Sequence, residues 1–253
     1  MKKIYDDSAF IRPDTITQYA NTNEAFLTGS VRGIILEFPG LGGGSCLGGT
    51  LERRDYDYTP YAKAFASEGI LLAYLFPGPW SWGNIGAVRM ADGVVEALAK
   101  KYCLPDEFPL AVSGGSMGGL GSLIYTADTR YTLRCAAIAC PCIDVPAAYS
   151  VHPDFPRTFF SAAAVYDLPM DKALERFSPV HRINDLPDIE YFISANGDDE
   201  LFPEEEIRKF SHRLEKQGRK VIYRNQPGTY HGQFDQEVRD EMHSFLVKNM
   251  QNP

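Results

Sequence analysis

Short blocks of consecutive apolar residues recur along the chain and alternate with segments whose apolar residues follow a helical spacing. The blocks that we interpret as strands cover 33–38, 70–76, 108–112, 135–140, 189–194 and 220–223. The helical spacing predicts helices over 61–68, 85–102, 117–125, 203–216 and 236–249. Strands that are apolar throughout are typical of a parallel sheet covered by helices on both faces. The pattern therefore predicts an α/β fold with a mostly parallel central sheet, in which ligands bind beyond the carboxyl ends of the strands.

Two segments depart from this alternation. Residues 1–30 are polar with scattered aromatics, and within them 15–19 is a candidate edge strand. Residues 141–187 are rich in prolines and aromatics without a clear period, and a stretch of this length inside a compact domain is usually functional or partly helical. We expect 1–253 to form a single domain with a small cap insertion at about 141–187.

Composition and charge narrow the class of protein. Hydrophobic residues make up 44% and charged residues 23%, as in ordinary globular proteins. A formal net charge of -8 argues against a nucleic-acid partner. The absence of a long apolar run predicts no membrane partner and a cytoplasmic protein. Five cysteines in mainly apolar surroundings suit buried, reduced thiols better than a disulfide framework.

A serine stands at the tip of a tight turn between a predicted strand and a predicted helix. Residues 114–118 match the pattern G-x-S-x-G, in which glycines let a strained elbow close and expose the serine hydroxyl. The competing interpretation is an ordinary glycine-rich turn. Ser116 is therefore a candidate nucleophile, whereas Ser113 lies on the preceding strand.

A serine nucleophile needs a base, and the base needs a carboxylate that orients it. Of the five histidines, His231 alone lies in a glycine-flanked loop just past a predicted strand, which makes it the best candidate for the base. For the carboxylate, Asp198 and Asp199 follow another strand and Asp144 follows a third. The residues themselves leave these three acids open.

Acyl transfer also needs donors for the oxyanion of the tetrahedral intermediate. The backbone N–H of Met117 follows the serine and opens a helix, whose dipole adds partial positive charge. A second donor is expected from the glycine loop after the first buried strand, from Leu41 or Gly42. A phosphate-binding interpretation of that loop is weaker, since 40–45 fits neither common glycine-rich motif and lacks their lysine.

Taken together, the segments 114–119, 196–203 and 230–234 resemble the α/β-hydrolase superfamily from about residue 33 to the C-terminal helix. The resemblance implies the order Ser116, Asp199, His231, because a proline four residues after the aspartate selects Asp199. Residues 178–187 resemble the prolyl-oligopeptidase and dienelactone-hydrolase-like branch. The chain departs from many relatives at 39–40, where Pro-Gly replaces His-Gly and puts that histidine's bracing of the oxyanion loop in question.

The resemblance implies a carboxylesterase-like serine hydrolase that acts on a small-molecule ester and needs no cofactor or metal. Trp80, Trp82 and Phe159 are candidate walls of the substrate pocket, although each could equally pack the cap onto the domain. Arg53 and Arg54 could meet an acidic substrate, but exposed arginines usually bind nothing specific. A peptidase acting on short peptides and a non-catalytic binder on the same scaffold are the alternatives. The sequence leaves open whether the protein is a homo-oligomer.

Overall fold

The computed structural model of the protein describes residues 10–47 and 60–251. Within these ranges seven strands form one sheet. They are β1 (Ala20–Thr22), β2 (Gly33–Phe38), β3 (Ile70–Leu75), β4 (Leu110–Gly115), β5 (Cys135–Ala139), β6 (Glu190–Asn196) and β7 (Lys220–Gln226). Their order is β1-β3-β2-β4-β5-β6-β7. The pairing is parallel everywhere except between β1 and β3, which confirms the predicted sheet.

Helices connect and cover the strands. They are α1 (Pro60–Ser67), α2 (Ile85–Tyr102), α3 (Met117–Asp128), α4 (Val145–Ala148), α5 (Phe155–Ala163), α6 (Met170–Arg176), α7 (Glu204–Lys216) and α8 (Gln236–Gln251). The long helix α2 begins where Asn84 accepts a hydrogen bond from the amide of Ala87 and ends at Cys103, which has a left-handed backbone. The predicted bounds of α2 agree with those in the structure.

The central strands are apolar blocks because both faces of the sheet are covered. Every residue of β2, β3, β4 and β5 is buried. Along β2, Ile34 and Leu36 pack into the core on one face, whereas Ile35 packs into a second core that includes residues of α1 and α8. The edge strand β7 alternates between more and less exposed positions, as expected for a strand paired on one side.

One sequence prediction near the amino end was wrong. The segment 15–19 holds a 3-10 turn at Ile16–Gln18 instead of a strand, and the edge strand is β1, directly after it. This strand is three residues long and polar at Asn21, so no apolar period marked it.

The segment between β5 and β6 is largely helical. It contains α4, α5, α6 and the 3-10 turns Pro179–His181 and Ile183–Asp185. Buried aromatic residues of α5 attach it to the main body, where Phe159 lies with its ring centroid 4.2 Å from that of Trp82. Within the described residues, no helix is both long and apolar enough to cross a membrane.

Candidate active site

The loop after β4 places Ser116 on a strained elbow. Ser116 has φ = +58°, a conformation that costs energy for a residue with a side chain, and its amide donates to the carbonyl of Ala139. The flanking glycines are sterically required, because a Cβ on Gly114 would lie 2.4 Å from the carbonyl oxygen of Gly118. A Cβ on Gly118 would lie 2.0 Å from the carbonyl oxygen of Phe38. The helix α3 can therefore start directly at the serine, tight against β2.

Three side chains from three strand ends form one chain of hydrogen bonds. The imidazole Nε2 of His231 lies 2.8 Å from the Oγ of Ser116, and its Nδ1 lies 2.7 Å from the Oδ2 of Asp199. Because the carboxylate accepts the hydrogen on Nδ1, Nε2 is left to accept the hydrogen of the serine hydroxyl. This is the geometry that activates a serine as a nucleophile.

Of the three candidate acids, the structure places Asp199 against the imidazole. Its side chain is fully buried and its Oδ1 accepts hydrogen bonds from the amides of Leu201 and Phe202, both at 2.9 Å. Asp198 is exposed, and Asp144 accepts from the amide of Ala147 at the start of α4. Only Asp199 among them is in the hydrogen-bond chain.

Two buried amide side chains, whose roles the sequence analysis missed, hold the histidine loop. The Nδ2 of Asn196 donates to the carbonyl oxygens of Tyr230 at 2.5 Å and Gln233 at 2.9 Å, and its Oδ1 accepts from Gln226. The Oε1 of Gln226 accepts from the amide of Asp235. Both amides end neighbouring strands, so the sheet itself fixes the position of His231.

The proposed oxyanion donors lie on either side of the serine. Met117 is the first residue of α3, where a backbone N–H has no partner within the helix. Leu41 lies in the loop after β2 and lines the same cavity as Ser116. This loop is closed on itself, because the Gly40 amide donates to Gly44 and the Gly43 amide donates to Gly40, both at 2.9 Å.

A cavity of about 360 Å³ opens above Ser116 and His231. Its described apolar walls are Leu41, Cys46, Trp82, Phe155, Leu201 and Phe234. Of the predicted wall residues, Trp82 lines the cavity. It is fully buried, and its indole N–H donates to the hydroxyl of Thr158. Phe159 is buried behind Trp82, and Trp80 is partly exposed beside Arg157, outside the described lining. Phe155 is one of the aromatic residues of the segment 141–187, whereas no sequence pattern pointed to Leu201 or Phe234. Arg53 and Arg54 lie outside the described residues.

An aromatic stack connects the inserted helices to the imidazole. The ring of Phe202 meets the ring of His231 edge-on with centroids 5.1 Å apart. On its other side Phe202 lies nearly parallel to Phe155, 5.9 Å away. The base is therefore in contact with apolar groups from the acid loop, which in turn contact α5.

A third polar group, the thiol of Cys140, lies close to the acid and the base. Among the described residues, Cys140, Asp199 and His231 are the one group whose potential ligand atoms fall within 4.8 Å of one another. Burial, together with the charge of Asp199, raises the pKa of this thiol to about 12. Both nitrogens of the His231 imidazole are already engaged, by Asp199 and by Ser116, so the imidazole offers no free lone pair to a metal. The group fits a hydrogen-bond network better than a metal centre.

The sheet order, the strained serine elbow and the side chains that meet at the strand ends define an α/β-hydrolase fold with the site of a serine hydrolase. More narrowly, residues 82–253 match the prolyl oligopeptidase family over more than half of the chain. The protein belongs to this family, which confirms the resemblance in its sequence. No curated protein matches the chain in sequence.

Solved structures with the same fold include both peptidases and esterases. A puromycin hydrolase superposes with a TM-score of 0.66 at 18% identity, over 88% of this chain and 34% of that one. The acylaminoacyl peptidase of Pyrococcus horikoshii gives 0.65 at 13% identity, over 87% and 36%. Esterase B of Lactobacillus Rhamnosis gives 0.62 at 10% identity, over 88% and 78%. The chain thus spans about a third of the length of the puromycin hydrolase and of the acylaminoacyl peptidase, and most of the length of the esterase.

Proposed function

We propose that the protein is a serine esterase that hydrolyses carboxylic esters with small or medium-sized, uncharged acyl groups. The observation that carries this proposal is the character of the cavity around Ser116. Among the described residues that line it, none is an acid, lysine or arginine, and burial raises the pKa of the Cys46 and Cys140 thiols, so that they stay neutral at neutral pH. Against these described walls, a free amino or carboxyl terminus of a peptide would lose its hydration without gaining an opposite charge, which is unfavourable. An ester with an apolar acyl chain meets no such penalty.

In the proposed acylation step, the Oγ of Ser116 attacks the ester carbonyl and its proton passes to Nε2 of His231. The buried carboxylate of Asp199 stabilises the imidazolium that forms. The amides of Met117 and Leu41 donate to the oxyanion, and the dipole of α3 adds to this stabilisation. The imidazolium then protonates the leaving alcohol, and an acyl-enzyme remains on Ser116.

Deacylation uses the same groups with water as the nucleophile. His231 takes a proton from the water, whose oxygen attacks the acyl carbonyl. When the tetrahedral intermediate collapses, His231 returns this proton to the Oγ of Ser116, and the acid is released. All five cysteines are free, which supports the expected cytoplasmic location, where thiols stay reduced.

The test combines active-site labelling with a substrate panel. The protein is incubated with a fluorophosphonate and analysed by peptide mass spectrometry, and its rates are measured on p-nitrophenyl esters from acetate to decanoate. We expect one adduct, on Ser116, and hydrolysis that is abolished in Ser116→Ala. A Ser113→Ala variant serves as the matched control and should keep its activity. Absence of labelling, or equal rates in Ser116→Ala and the parent, would contradict an enzymatic role and favour a binding protein.

A peptidase acting on short peptides is the second candidate, favoured by membership of the prolyl oligopeptidase family. The same nucleophile cleaves amides if the leaving amine is protonated by His231. The discriminating measurement compares kcat/KM for an N-acyl amino acid p-nitroanilide with that for the p-nitrophenyl ester of the same acid. A higher value for free or blocked dipeptides than for all the esters would replace the esterase proposal with this one.

A further inference from the structure

A carboxylate is buried beneath the loop that carries Leu41. Glu37 is the fifth residue of β2 and has no exposed surface, although both of its neighbours on the strand are apolar. Its Oε1 accepts hydrogen bonds from three consecutive residues, namely the hydroxyl of Ser45 at 2.5 Å, the thiol of Cys46 at 3.3 Å and the amide of Leu47 at 3.1 Å. One oxygen therefore holds the far end of the loop against the strand from which the loop departs.

A second buried side chain holds the middle of the same loop. The hydroxyl of Tyr74, which lies beside Glu37 across the β2–β3 pair, donates to the carbonyl oxygen of Gly43. The turn is then closed by the hydrogen bond from the Gly40 amide to Gly44. Residues 40–47 are thus attached at both the middle and the end, and Leu41 lies in the part that faces the cavity.

We propose that Glu37 is a positioning residue that fixes the loop 40–47 so that the amide of Leu41 points at the developing oxyanion. This inference rests on the proposed function. It also accounts for Pro39, because a loop held from below by a strand carboxylate does not need the histidine that many relatives have at that position. Glu37 touches no reacting atom and acts only through the loop.

The protonation states of two of the donors, the Cys46 thiol and the Tyr74 hydroxyl, agree with this positioning role. Burial, and then the charge of Glu37, raise the pKa of the Cys46 thiol and of the Tyr74 hydroxyl. Both groups therefore keep their protons at neutral pH and can donate. Because all three donors meet at one oxygen, a single side chain holds three consecutive residues of the loop.

The test measures transition-state stabilisation separately from binding and from stability. In Glu37→Leu we expect kcat for a p-nitrophenyl ester to fall by about 10- to 100-fold with KM changed less than about threefold, since an oxyanion donor acts only in the transition state. The inhibition constant of an alkylboronic acid, which forms a tetrahedral adduct with Ser116, should rise by a similar factor. Glu37→Gln keeps an acceptor oxygen and should lie between Glu37→Leu and the parent.

The matched control is Ile35→Ala, two residues earlier on the same face of β2, which is equally buried and packs in the same core as Cys46 and Leu47 but whose side chain accepts no hydrogen bond from the loop. Ile35→Ala should lower Tm but should not show the loss of kcat that is expected for Glu37→Leu. If Glu37→Leu lowers Tm but keeps kcat and boronate affinity as Ile35→Ala does, or raises KM alone, Glu37 is merely structural and the inference is wrong. If Glu37→Leu does not fold, Ser45→Ala, which removes one donor, takes its place with an expected loss in kcat of about three- to tenfold. A parent that hydrolyses no ester and is not labelled would instead overturn the proposed function.

Discussion

Replacing Asp199 with asparagine changes one atom, and the surrounding hydrogen bonds dictate how the new side chain must sit. The Oδ1 of Asp199 accepts from the amides of Leu201 and Phe202, so an NH₂ group placed there would face two donors. The asparagine oxygen must therefore keep that position, and its NH₂ group must point at Nδ1 of His231. An imidazole that accepts at Nδ1 carries its hydrogen on Nε2, where it can no longer take the proton of Ser116.

The expected loss follows from this wrong tautomer. Elsewhere, the same exchange in a serine-histidine-aspartate triad lowers kcat by about 10⁴-fold, which corresponds to about 5 kcal/mol of transition-state stabilisation. We expect a loss of this order in Asp199→Asn, because its side chain is fully buried and no water can replace the lost acceptor. The assay is the steady-state rate on a p-nitrophenyl ester, together with Tm to show that the variant is folded.

Asp198→Asn and Asp144→Asn are the matched controls. The first changes an exposed carboxylate next in the chain, and the second changes the residue that caps α4. Both should keep kcat within about twofold, because neither side chain reaches the imidazole. An Asp199→Asn protein that keeps a tenth or more of its activity, while either control loses it, would refute the reasoning and reassign the acid.

Three further predictions concern the elbow, the pocket and the thiols. Gly118→Ala should lower the free energy of unfolding by more than about 2 kcal/mol and abolish activity, because its Cβ would lie 2.0 Å from the carbonyl oxygen of Phe38; chemical denaturation measures this. Trp82→Phe shortens a wall of the cavity and should raise kcat/KM for octanoate esters relative to butyrate esters by about threefold or more, as measured on the ester panel. Iodoacetamide at pH 8 should alkylate the folded protein once, at Cys103, because the other four cysteines are buried and burial raises the pKa of each of their thiols; mass spectrometry counts the adducts.

Each of these predictions has its own control. Gly29→Ala, where a new Cβ meets nothing within 4 Å, should leave stability nearly unchanged, and a loss equal to that of Gly118→Ala would contradict the steric argument. Trp80→Ala alters a partly exposed ring away from the described lining and should keep the acyl preference of the parent. Protein unfolded in guanidinium should take up five labels, whereas several labels on the folded protein would show that the buried thiols are reachable.

The fold followed from the sequence because the strongest signal, strands that are apolar throughout, is a direct consequence of burial on both faces of a parallel sheet. The elements at the edges were harder to predict. Strand β1 is short and pairs on one side, so its residues carry no apolar period. Strand β7 continues to Gln226, beyond the predicted end at Tyr223, and no apolar residue marks this extension, because Arg224 and Asn225 are polar and exposed and Gln226 is a buried polar residue.

The sequence predicted those site residues whose position a local motif fixes, and it did not predict those whose position depends on tertiary contacts. The elbow around Ser116 is specified by its own glycines, so the sequence alone places the serine. The choice between Asp198 and Asp199 depends on how a turn directs two adjacent side chains, and the residues left it open until the family resemblance was used. Phe159 was expected in the pocket, but the side of α5 that faces the cavity is set by packing, which brings Phe155 forward instead. For the role of Glu37, the one signal in the sequence was a charged residue inside an otherwise apolar strand.

The stack of Phe155, Phe202 and His231 sets a limit on how the cavity can be enlarged. Phe155 is a wall of the cavity and also supports the ring that lies edge-on to the imidazole. Shortening Phe155 to admit a bulkier acyl group would therefore loosen the support of the base as it enlarges the pocket. Phe234, another wall of the cavity, is not one of these stacked rings. Enlarging the cavity should therefore start at Phe234 rather than at Phe155.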